Sequence, residues 1–565
     1  MRPIRSWTDA VCLLLAMALV CALVVFGEIR YTGSDPRGAL LLSDSLAFHQ
    51  SFKLDHYERE TLDRYGYTIH QKNGHDYYFF PIGTSLVSIP VVIAGKLLGF
   101  SHEEHELPLQ IATATIAAAL ILLFLYRFAG LFLEPRNALL LALTFWLGTS
   151  LSSTGGTALW SHNFATLFAL MAIFYAVRPV LRQDTVPWLL IATLLFLAYL
   201  CRPTLALLAP CLLLFLLFHT RKAAILSGIA LASWLGIFVL WSYGEFGQPL
   251  PDYYLPARLV GGNLPTALAG NLISPGRGLL IYSSFIAAVW LYRWSARGRS
   301  IFSKPWWLLP ALLWPLLHLV FVSRFPHWWG GWSYGARLTM DVLPGLYLLT
   351  LAAWPRDLAE VRRTSKVAVA LLAASCVISV FANACQGLYN PYSARWNANP
   401  NIDVFPAYLF DWRYPPFLHN QARHAARNAR HERATGVTDA VVVLRHDDSN
   451  ILFTNWYNPE PYQRWSSGNF ASLTFTLPDE QQLQGVITIA ARYLDEQRVR
   501  VKLNSHPLGS YVSSDVKIAR TFHIDPTLLL PGQTNTLSFE LPDAHRPDPV
   551  DSRELAIAIH SIAIR

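Results

Sequence analysis

The sequence "GEIRYTGSDPRGALLLSDSLAFHQSFKLDHYERETLDRYGYTIHQKNGHDYYFF", residues 27–80, directly follows the first apolar segment of the chain. It carries the carboxylates Glu28, Asp35, Asp44 and Asp55, whereas long hydrophobic segments make up much of the chain after it. Keeping a carboxylate next to lipid costs free energy, so acidic residues in this position indicate a site. We therefore interpret the loop from Glu28 to about Ser101 as the segment around which the rest is organised.

The composition is that of a multi-pass membrane protein. Of 565 residues, 53% are hydrophobic and 15% are charged, a balance typical of chains with many spans. The net charge of +8 does not indicate nucleic-acid binding, because many basic residues fall in short loops where they set orientation. The six cysteines lie in or beside apolar segments and form no CxxC metal site or disulfide framework.

The pattern predicts roughly eleven spans. Arg2 and Arg5 precede the first, which we interpret as a retained span with a cytoplasmic N-terminus. The others are expected at about 108–126, 138–152, 162–178, 186–201, 204–219, 223–243, 278–292, 306–323, 337–354 and 366–385. Cytoplasmic loops are rich in Lys and Arg, and the later basic loops fall on the cytoplasmic side only if 81–100 does not cross the membrane. We therefore place 81–100 on the outer side, as a re-entrant or in-plane segment. An odd number of spans then puts the C-terminus outside.

The predicted fold class is an all-α membrane region followed by an all-β sandwich. Residues 1–385 form the membrane domain, whose first external loop is 28–107. Residues 386–437 form a connector with a basic helix, and 438–565 carry short alternating strands separated by turn residues, typical of a sandwich.

Within the first loop, two local signals are clear. Ser34-Asp35-Pro36 predicts a helix start with Asp35 as cap, followed by an amphipathic helix along the membrane surface. Asn73-Gly74 between alternating aromatic runs predicts a β-hairpin.

The carboxylates are candidates for a general base. Partial desolvation at a lipid boundary raises a carboxylate pKa, which suits proton abstraction. Asp35 is the first candidate, with Asp44 and Glu28 behind it. The alternatives stay open: Asp35 fits a helix cap equally well, and Asp44 fits the solvated face of the surface helix.

The external loops also carry cations that could hold a phosphate. They are Arg202, Arg277, Arg324, Arg337, His162 and His327. For a single arginine, snorkelling to lipid headgroups is the commoner explanation. Aromatic residues lie close in sequence to Arg324, His327 and Arg337: they are Trp328, Trp329, Trp332 and Tyr334. Their rings fit stacking on a sugar and an interfacial aromatic belt about equally well.

No HExxH, CxxC or P-loop sequence occurs. We therefore predict no firm cofactor, and a divalent metal ion stays an open alternative.

Several segments together resemble the C-type membrane glycosyltransferases, the class of the protein O-mannosyltransferases and aminoarabinose transferases. They are "RYGYTIHQKNGHDYYFFPIGTSL", "GTALWSHN", "CRPT", "ISPGRGLLIY" and "GGWSYGAR". The resemblance covers roughly residues 1–385, together with an Asp after the first span. This chain departs from the mannosyltransferases at Pro36, where they have an acidic residue, which leaves the choice between Asp35 and Asp44 open.

The resemblance implies a function and roles for residues. A polyprenyl-phosphate sugar would be the donor, Asp35 the base, and Arg202 and Arg337 the phosphate ligands, assisted by His162 and His327. The acceptor would be a hydroxyl of a periplasmic protein or envelope glycan, and the location a bacterial inner membrane with its lipids. Transfer would invert the anomeric carbon.

Two other functional classes are alternatives. A lipid-linked sugar flippase needs polar groups along its spans, but segments such as "LALLAPCLLLFLLF" carry no charge. A ligase or polymerase using a pyrophosphate-linked donor would share the outward arginines without needing the carboxylate. The sequence favours the transferase.

A last segment, "NWYNPEPYQRW" at 455–465, resembles an element of β-sandwich modules in envelope sugar enzymes. Its residues Tyr457, Glu460, Arg464 and Trp465 fit either glycan binding or a cluster that stabilises the domain.

Overall fold

The computed structural model describes residues 7–31, 33–255, 262–296, 309–398, 400–403, 405–435, 442–446, 451–460, 463–477, 485–513, 518–547 and 553–564. The chain divides into two compact units. The first comprises Met1–Thr61, His75–Asn397 and Ala407–Asn420, and the second comprises Leu62–Gly74, Ala398–Pro406 and Gln421–Arg565.

The first unit is helical, as the composition predicts. In chain order the α-helices of the described residues are α1 (Trp7–Val25), α2 (Ala39–Asp44), α3 (Arg59–Tyr65), α4 (Gly83–Leu97), α5 (His102–Ala129), α6 (Pro135–Leu147), α7 (Ser150–Ser153), α8 (Ser161–Arg182), α9 (Trp188–Cys201), α10 (Leu208–His219), α11 (Arg221–Phe246), α12 (Leu264–Ile273), α13 (Leu279–Tyr282), α14 (Phe285–Ser295), α15 (Leu309–Val322), α16 (Leu343–Ala353), α17 (Leu358–Arg363), α18 (Lys366–Val380), α19 (Gln386–Tyr389), α20 (Pro391–Arg395) and α21 (Gln421–Thr435). Residues 62–65 of α3 and the whole of α21 belong to the second unit, and α21 confirms the predicted basic helix.

Five helical segments of the described residues are long and apolar enough to cross a bilayer, which requires about 20 apolar residues. They are Trp7–Val25, Glu104–Ala129, Ser161–Arg182, Arg221–Phe246 and Lys366–Tyr389. Other apolar helices are shorter, including α4, whose 15 residues fall short of a full crossing. The predicted class, a helical membrane region followed by a β region, is confirmed, while the count of eleven spans and the placement of 81–100 stay predictions.

Helix α8 lies at the centre of the first unit. Its residues are buried along most of their length, and its apolar side chains share one core with those of α1, α5, α9 and α16. Gly83 at the start of α4 allows close packing on the end of α9, because a Cβ there would lie 2.4 Å from the backbone nitrogen of Cys201. The end of α9 is thereby fixed against the start of α4.

The first loop differs from its predicted form in one respect and agrees in another. The helix begins at Ala39 rather than Pro36, because Gly38 adopts a left-handed conformation (φ 84°) and ends a turn that contains Asp35. All six residues of α2, Asp44 included, are buried, so the solvated face expected for Asp44 was wrong, whereas the position along the membrane surface stays a prediction. The hairpin is confirmed: β1 (Ile69–Lys72) pairs with β2 (His75–Tyr78) across Asn73-Gly74, both of which have positive φ.

The second unit contains two five-stranded antiparallel sheets around one core. Their strands are β3 (Val442–Arg445), β4 (Leu452–Thr454), β5 (Arg464–Trp465), β6 (Phe470–Thr476), β7 (Val486–Tyr493), β8 (Gln497–Leu503), β9 (His506–Ser513), β10 (Ile518–His523), β11 (Thr534–Glu540) and β12 (Ile557–Ile564). One sheet has the order β10-β7-β12-β3, with β5 also on β12, and the other β4-β6-β11-β8-β9. Alternate residues point inward, as in β7, which is what the period of two predicts.

Candidate active site

Asp35 is held inside the first unit by contacts from several elements. The hydroxyl of Tyr78 donates to its backbone carbonyl at 2.5 Å, and the side chain of Gln110 on α5 donates to the carbonyl of Pro36 at 3.0 Å. Only 4% of Asp35 is exposed. The turn at the start of the first loop is therefore a fixed part of the protein interior.

The carboxylate of Asp35 lies at the N-terminus of α8. Its Oδ2 accepts from the backbone N–H of Ser161 at 3.1 Å and from the Ser161 hydroxyl, while the hydroxyl of Ser34 donates to Oδ1 at 3.3 Å. Free N–H groups and the helix dipole stabilise an anion at this position. Asp35 therefore caps a helix, but that helix is α8 and not the one that follows Asp35 in sequence.

Arg337 faces the same carboxylate. Its Nη1 lies 3.7 Å from Oδ1 of Asp35, and its guanidinium lies 4.4 Å above the ring of Trp160. Its Nη2 donates to the carbonyl of Gly330 at 2.6 Å, a residue whose positive φ of 71° suits glycine. The sequence prediction that an acidic residue after the first span and the arginine of "GGWSYGAR" meet agrees with this geometry.

Charge dominates the protonation of Asp35. Burial by itself raises the pKa of this carboxyl, but the cations Arg337 and Arg202 and the Ser161 hydrogen bond more than offset it, so that the pKa lies below its usual range. Asp35 is therefore ionised while these cations face it.

A second buried carboxylate, Asp341, joins Arg202 to His162. Oδ1 of Asp341 lies 2.6 Å from Nδ1 of His162, and Oδ2 lies 3.5 Å from Nε of Arg202 and accepts from the Thr204 hydroxyl at 2.8 Å. Burial makes an unpaired carboxylate costly, and the contacts with His162, Arg202 and Thr204 pair this one. Arg202 also donates from Nη1 to the Ser161 hydroxyl at 3.5 Å, which links the two carboxylates into one cluster.

The other base candidates lie in different surroundings. Asp44 is buried and accepts from the Tyr57 hydroxyl at 2.8 Å, which contradicts the solvated face expected for it. Its burial follows from that of the whole of α2. Glu28 is exposed. No described contact joins the side chain of either to Asp35.

The loop 324–337 separates into exposed and structural residues. Arg324 and His327 are exposed, Trp332 is half-buried, and Trp328 and Trp329 are buried. Tyr334 donates to the carbonyl of Ala382 at 2.6 Å and is fully enclosed, so it supports the fold.

Arg277 also has a structural role. It donates to the carbonyls of Trp329 and Gly331 and to Oδ1 of Asn397, at 2.7 to 2.9 Å. Only 2% of it is exposed.

Sequence reasoning missed Ser161, Thr204, Tyr78 and Asp341. Ser161 and Thr204 lie within the quoted segments "GTALWSHN" and "CRPT", so their neighbourhood was signalled although their roles were not. Asp341 lay inside a predicted span, where an isolated acidic residue is itself a signal of function.

The segment 455–465 of the second unit is a packed cluster. Glu460 pairs with Arg553 at 3.0 Å, Arg464 donates to the carbonyl of Tyr457 at 2.8 Å and lies over the ring of Phe453, and Trp465 is buried. These contacts support the stabilising interpretation of the segment, with Arg553 as the partner of Glu460.

Among the described residues, no three His, Cys, Asp or Glu side chains are arranged to hold a metal ion.

Three solved structures show low-level likeness to the chain. ArnT from Cupriavidus metallidurans bound to undecaprenyl phosphate has a TM-score of 0.42 and 16% identity, covering 72% of this chain and 69% of that one. Arabinosyltransferase EmbB from Mycobacterium smegmatis has 0.33 and 12%, covering 99% and 64%, and a family 6 carbohydrate-binding module has 0.15 and 8%, covering 22% and 93%. Identities and TM-scores this low assign no activity to the chain.

The family comparison is more specific. The chain matches no curated protein sequence. The model of the dolichyl-phosphate-mannose-protein mannosyltransferase family matches residues 96–243, a range that contains the segments "GTALWSHN" and "CRPT" and therefore Ser161, His162 and Arg202. This match confirms the predicted resemblance to C-type membrane glycosyltransferases, and with it the predicted class of enzyme.

Proposed function

We propose that this protein transfers a sugar from a polyprenyl-phosphate donor to a hydroxyl group of an acceptor. The observation that carries the proposal is the cluster at the N-terminus of α8, where a buried carboxylate, Asp35, lies among Arg337, Arg202 and His162. A base for the acceptor and cations for a phosphate are the two requirements of such a transfer. The family that matches 96–243 is named for a lipid-phosphate sugar donor.

The proposed step is a single displacement. The acceptor hydroxyl gives its proton to the Asp35 carboxylate as its oxygen bonds to the anomeric carbon. The bond between that carbon and the phosphate oxygen breaks, and its electron pair stays on the departing polyprenyl phosphate. Arg202 and Arg337 stabilise that charge, because guanidinium groups match phosphate oxygens in charge and geometry.

The same geometry accounts for how a carboxylate of lowered pKa can act as a base. Arg337 lies 3.7 Å from Asp35, beyond a direct hydrogen bond. A donor phosphate would compete for this guanidinium and for Arg202, so the charge that keeps the Asp35 pKa low would be partly neutralised. Asp35 would then gain basicity when the donor is in place.

The acceptor and location follow as parts of the same proposal. We take the acceptor to be a hydroxyl of a periplasmic protein or envelope glycan, and the enzyme to reside in a bacterial inner membrane with the second unit in the periplasm. Mass spectrometry of envelope proteins and glycans from a deletion strain tests this part. A glycan mass missing from the deletion strain and restored by the gene identifies sugar and acceptor together.

The transfer itself is tested with purified protein in lipid nanodiscs. Polyprenyl-phosphate mannose and arabinose are offered as donors with an envelope extract as acceptor, and sugar transfer is followed by radiolabel. We expect transfer from one donor by the wild type, and release of polyprenyl phosphate in equal amount. Movement of the donor across a vesicle bilayer without any transfer would identify a flippase and overturn the proposal.

A further inference from the structure

Asp341 is a buried carboxylate that none of the sequence motifs singled out. It lies in a short 3-10 helix, Arg337–Val342, that begins with Arg337 itself. Its side chain is fully enclosed. Burying an ion is costly unless it is paired and hydrogen-bonded, and Asp341 meets this condition with partners from two other parts of the first unit: His162 on α8, and Arg202 and Thr204 after α9.

The atoms that Asp341 engages are informative. It contacts Nδ1 of His162 and Nε of Arg202, which are the ring nitrogen nearer the backbone and the inner nitrogen of the guanidinium. Of the outer atoms, Nη1 of Arg202 donates to the hydroxyls of Ser161 and Tyr253 at 3.5 and 3.4 Å, while Nε2 of His162 and Nη2 of Arg202 are left for other partners. Nε2 of His162 is buried and has no hydrogen-bond partner in the structure.

A buried imidazole nitrogen without a partner is costly, so such an atom calls for an explanation. A carboxylate on Nδ1 fixes the ring orientation and favours a proton on that nitrogen, and it stabilises the imidazolium when Nε2 also takes a proton. An imidazolium Nε2–H is a donor that a phosphate oxygen satisfies. The positive charge of Arg202 and Arg337 attracts a phosphate, and it opposes a second proton on His162 until the charge of that phosphate is present.

We propose that Asp341 is a positioning residue for sugar transfer: it orients His162 and Arg202 so that Nε2 and the outer guanidinium nitrogens meet the donor phosphate. This inference rests on the proposed function. It assigns to Asp341 an effect that passes through His162, which distinguishes it from a carboxylate that only neutralises a buried arginine.

A double-mutant cycle tests the route of the effect. Transfer is measured in nanodiscs for the wild type, Asp341→Asn, His162→Gln and the double variant, with kcat and donor KM determined separately. We expect Asp341→Asn to lower kcat by roughly 10- to 100-fold, the range found when a partner that orients a functional histidine is removed. The double variant should lose little beyond His162→Gln, because the two residues act as one unit.

Thr166→Val is the matched control. The Thr166 hydroxyl also joins α8 to the same 3-10 helix, through the carbonyl of Met340 at 3.4 Å, but it does not contact Asp341. We expect its kcat to stay within about threefold of the wild type. Either of two outcomes would overturn the inference. In the first, the losses of kcat in Asp341→Asn and His162→Gln multiply in the double variant. In the second, Asp341→Asn has the same kcat as Thr166→Val.

Two further measurements keep the outcome decisive. If Asp341→Asn does not accumulate in folded form, Asp341→Glu replaces it: the charge is kept but the carboxylate is displaced, so a positioning role predicts a loss of kcat and simple charge balance predicts none. Binding of polyprenyl phosphate to the wild type is measured by quenching of tryptophan fluorescence. Absence of both binding and transfer in the wild type refutes the proposed function, whereas wild-type activity with no coupling between Asp341 and His162 refutes only this inference.

Discussion

Asp35 and Asp44 belong to the same loop and are both buried, yet their surroundings differ in kind. Asp35 accepts from the start of α8 and faces Arg337, whereas Asp44 accepts from the Tyr57 hydroxyl. Because Asp35 faces Arg337 and Arg202, it can exchange these partners with an incoming phosphate. The comparison teaches that burial alone does not select the base, and that the charges around each carboxylate do.

The largest expected effect separates the two carboxylates directly. Asp35→Asn should lower kcat for sugar transfer by at least about 100-fold, since the acceptor proton loses its base. Asp44→Asn keeps an acceptor for the Tyr57 hydroxyl and should stay within about tenfold of the wild type. Transfer by the two variants is compared at equal amounts of folded protein, and equal loss in both, or a greater loss in Asp44→Asn, would reverse the assignment.

The next effect tests whether Arg337 sets the protonation of Asp35. Of the charges that lower the Asp35 pKa, Arg337 is the largest, so Arg337→Gln should raise this pKa. The carboxylate then takes up its proton at higher pH, and the acid limb of the kcat/KM profile should move up by about one pH unit, with a lower plateau. Arg395→Gln, at an exposed arginine of the same unit, serves as the control. If the acid limb does not move in Arg337→Gln, Arg337 does not set the pKa of Asp35.

The sequence predicted those features of the fold and the site that depend on residues close together in the chain. Local signals sufficed for the hairpin at Asn73-Gly74, the basic helix and the alternating strands such as β7, because turn residues and periodicity act over a few positions. The cap was assigned to the wrong helix because the residue that donates to the Asp35 carboxylate, Ser161, lies far along the chain. Periodicity identifies a helix but does not report which distant helix start a side chain reaches.

The same limit explains the arginines. Arg202, Arg277 and Arg337 carry the same charge and all lie in predicted external loops, so sequence patterns rank them alike. Arg277 is satisfied by backbone carbonyls and Asn397, whereas Arg337 faces a carboxylate across 3.7 Å. That distinction depends on tertiary contacts and appears only in the folded chain.

A smaller effect is expected at the backbone of the Asp35 turn. The Tyr78 hydroxyl donates to the Asp35 carbonyl, so Tyr78→Phe leaves a buried carbonyl unsatisfied without touching the carboxylate. We expect kcat to fall about three- to tenfold, because the base is less well held while its charge is unchanged. The pH profile of this variant should match the wild type, and a shifted acid limb would show that Tyr78 acts on protonation instead.

The smallest effect on turnover is expected for Tyr57→Phe, which tests whether Asp44 matters only for folding. Tyr57→Phe removes the hydroxyl that donates to Asp44 at 2.8 Å. The buried carboxylate loses this donor, so we expect the free energy of unfolding to fall by about 1 to 2 kcal/mol. Turnover at a permissive temperature should stay within about twofold, because Asp44 has no part in the chemistry. Thermal unfolding and transfer are measured on the same nanodisc sample. A loss of turnover that exceeds the loss of folded protein would return Asp44 to the reaction, since a carboxylate that matters only for folding can affect rate only through the amount of enzyme that is folded.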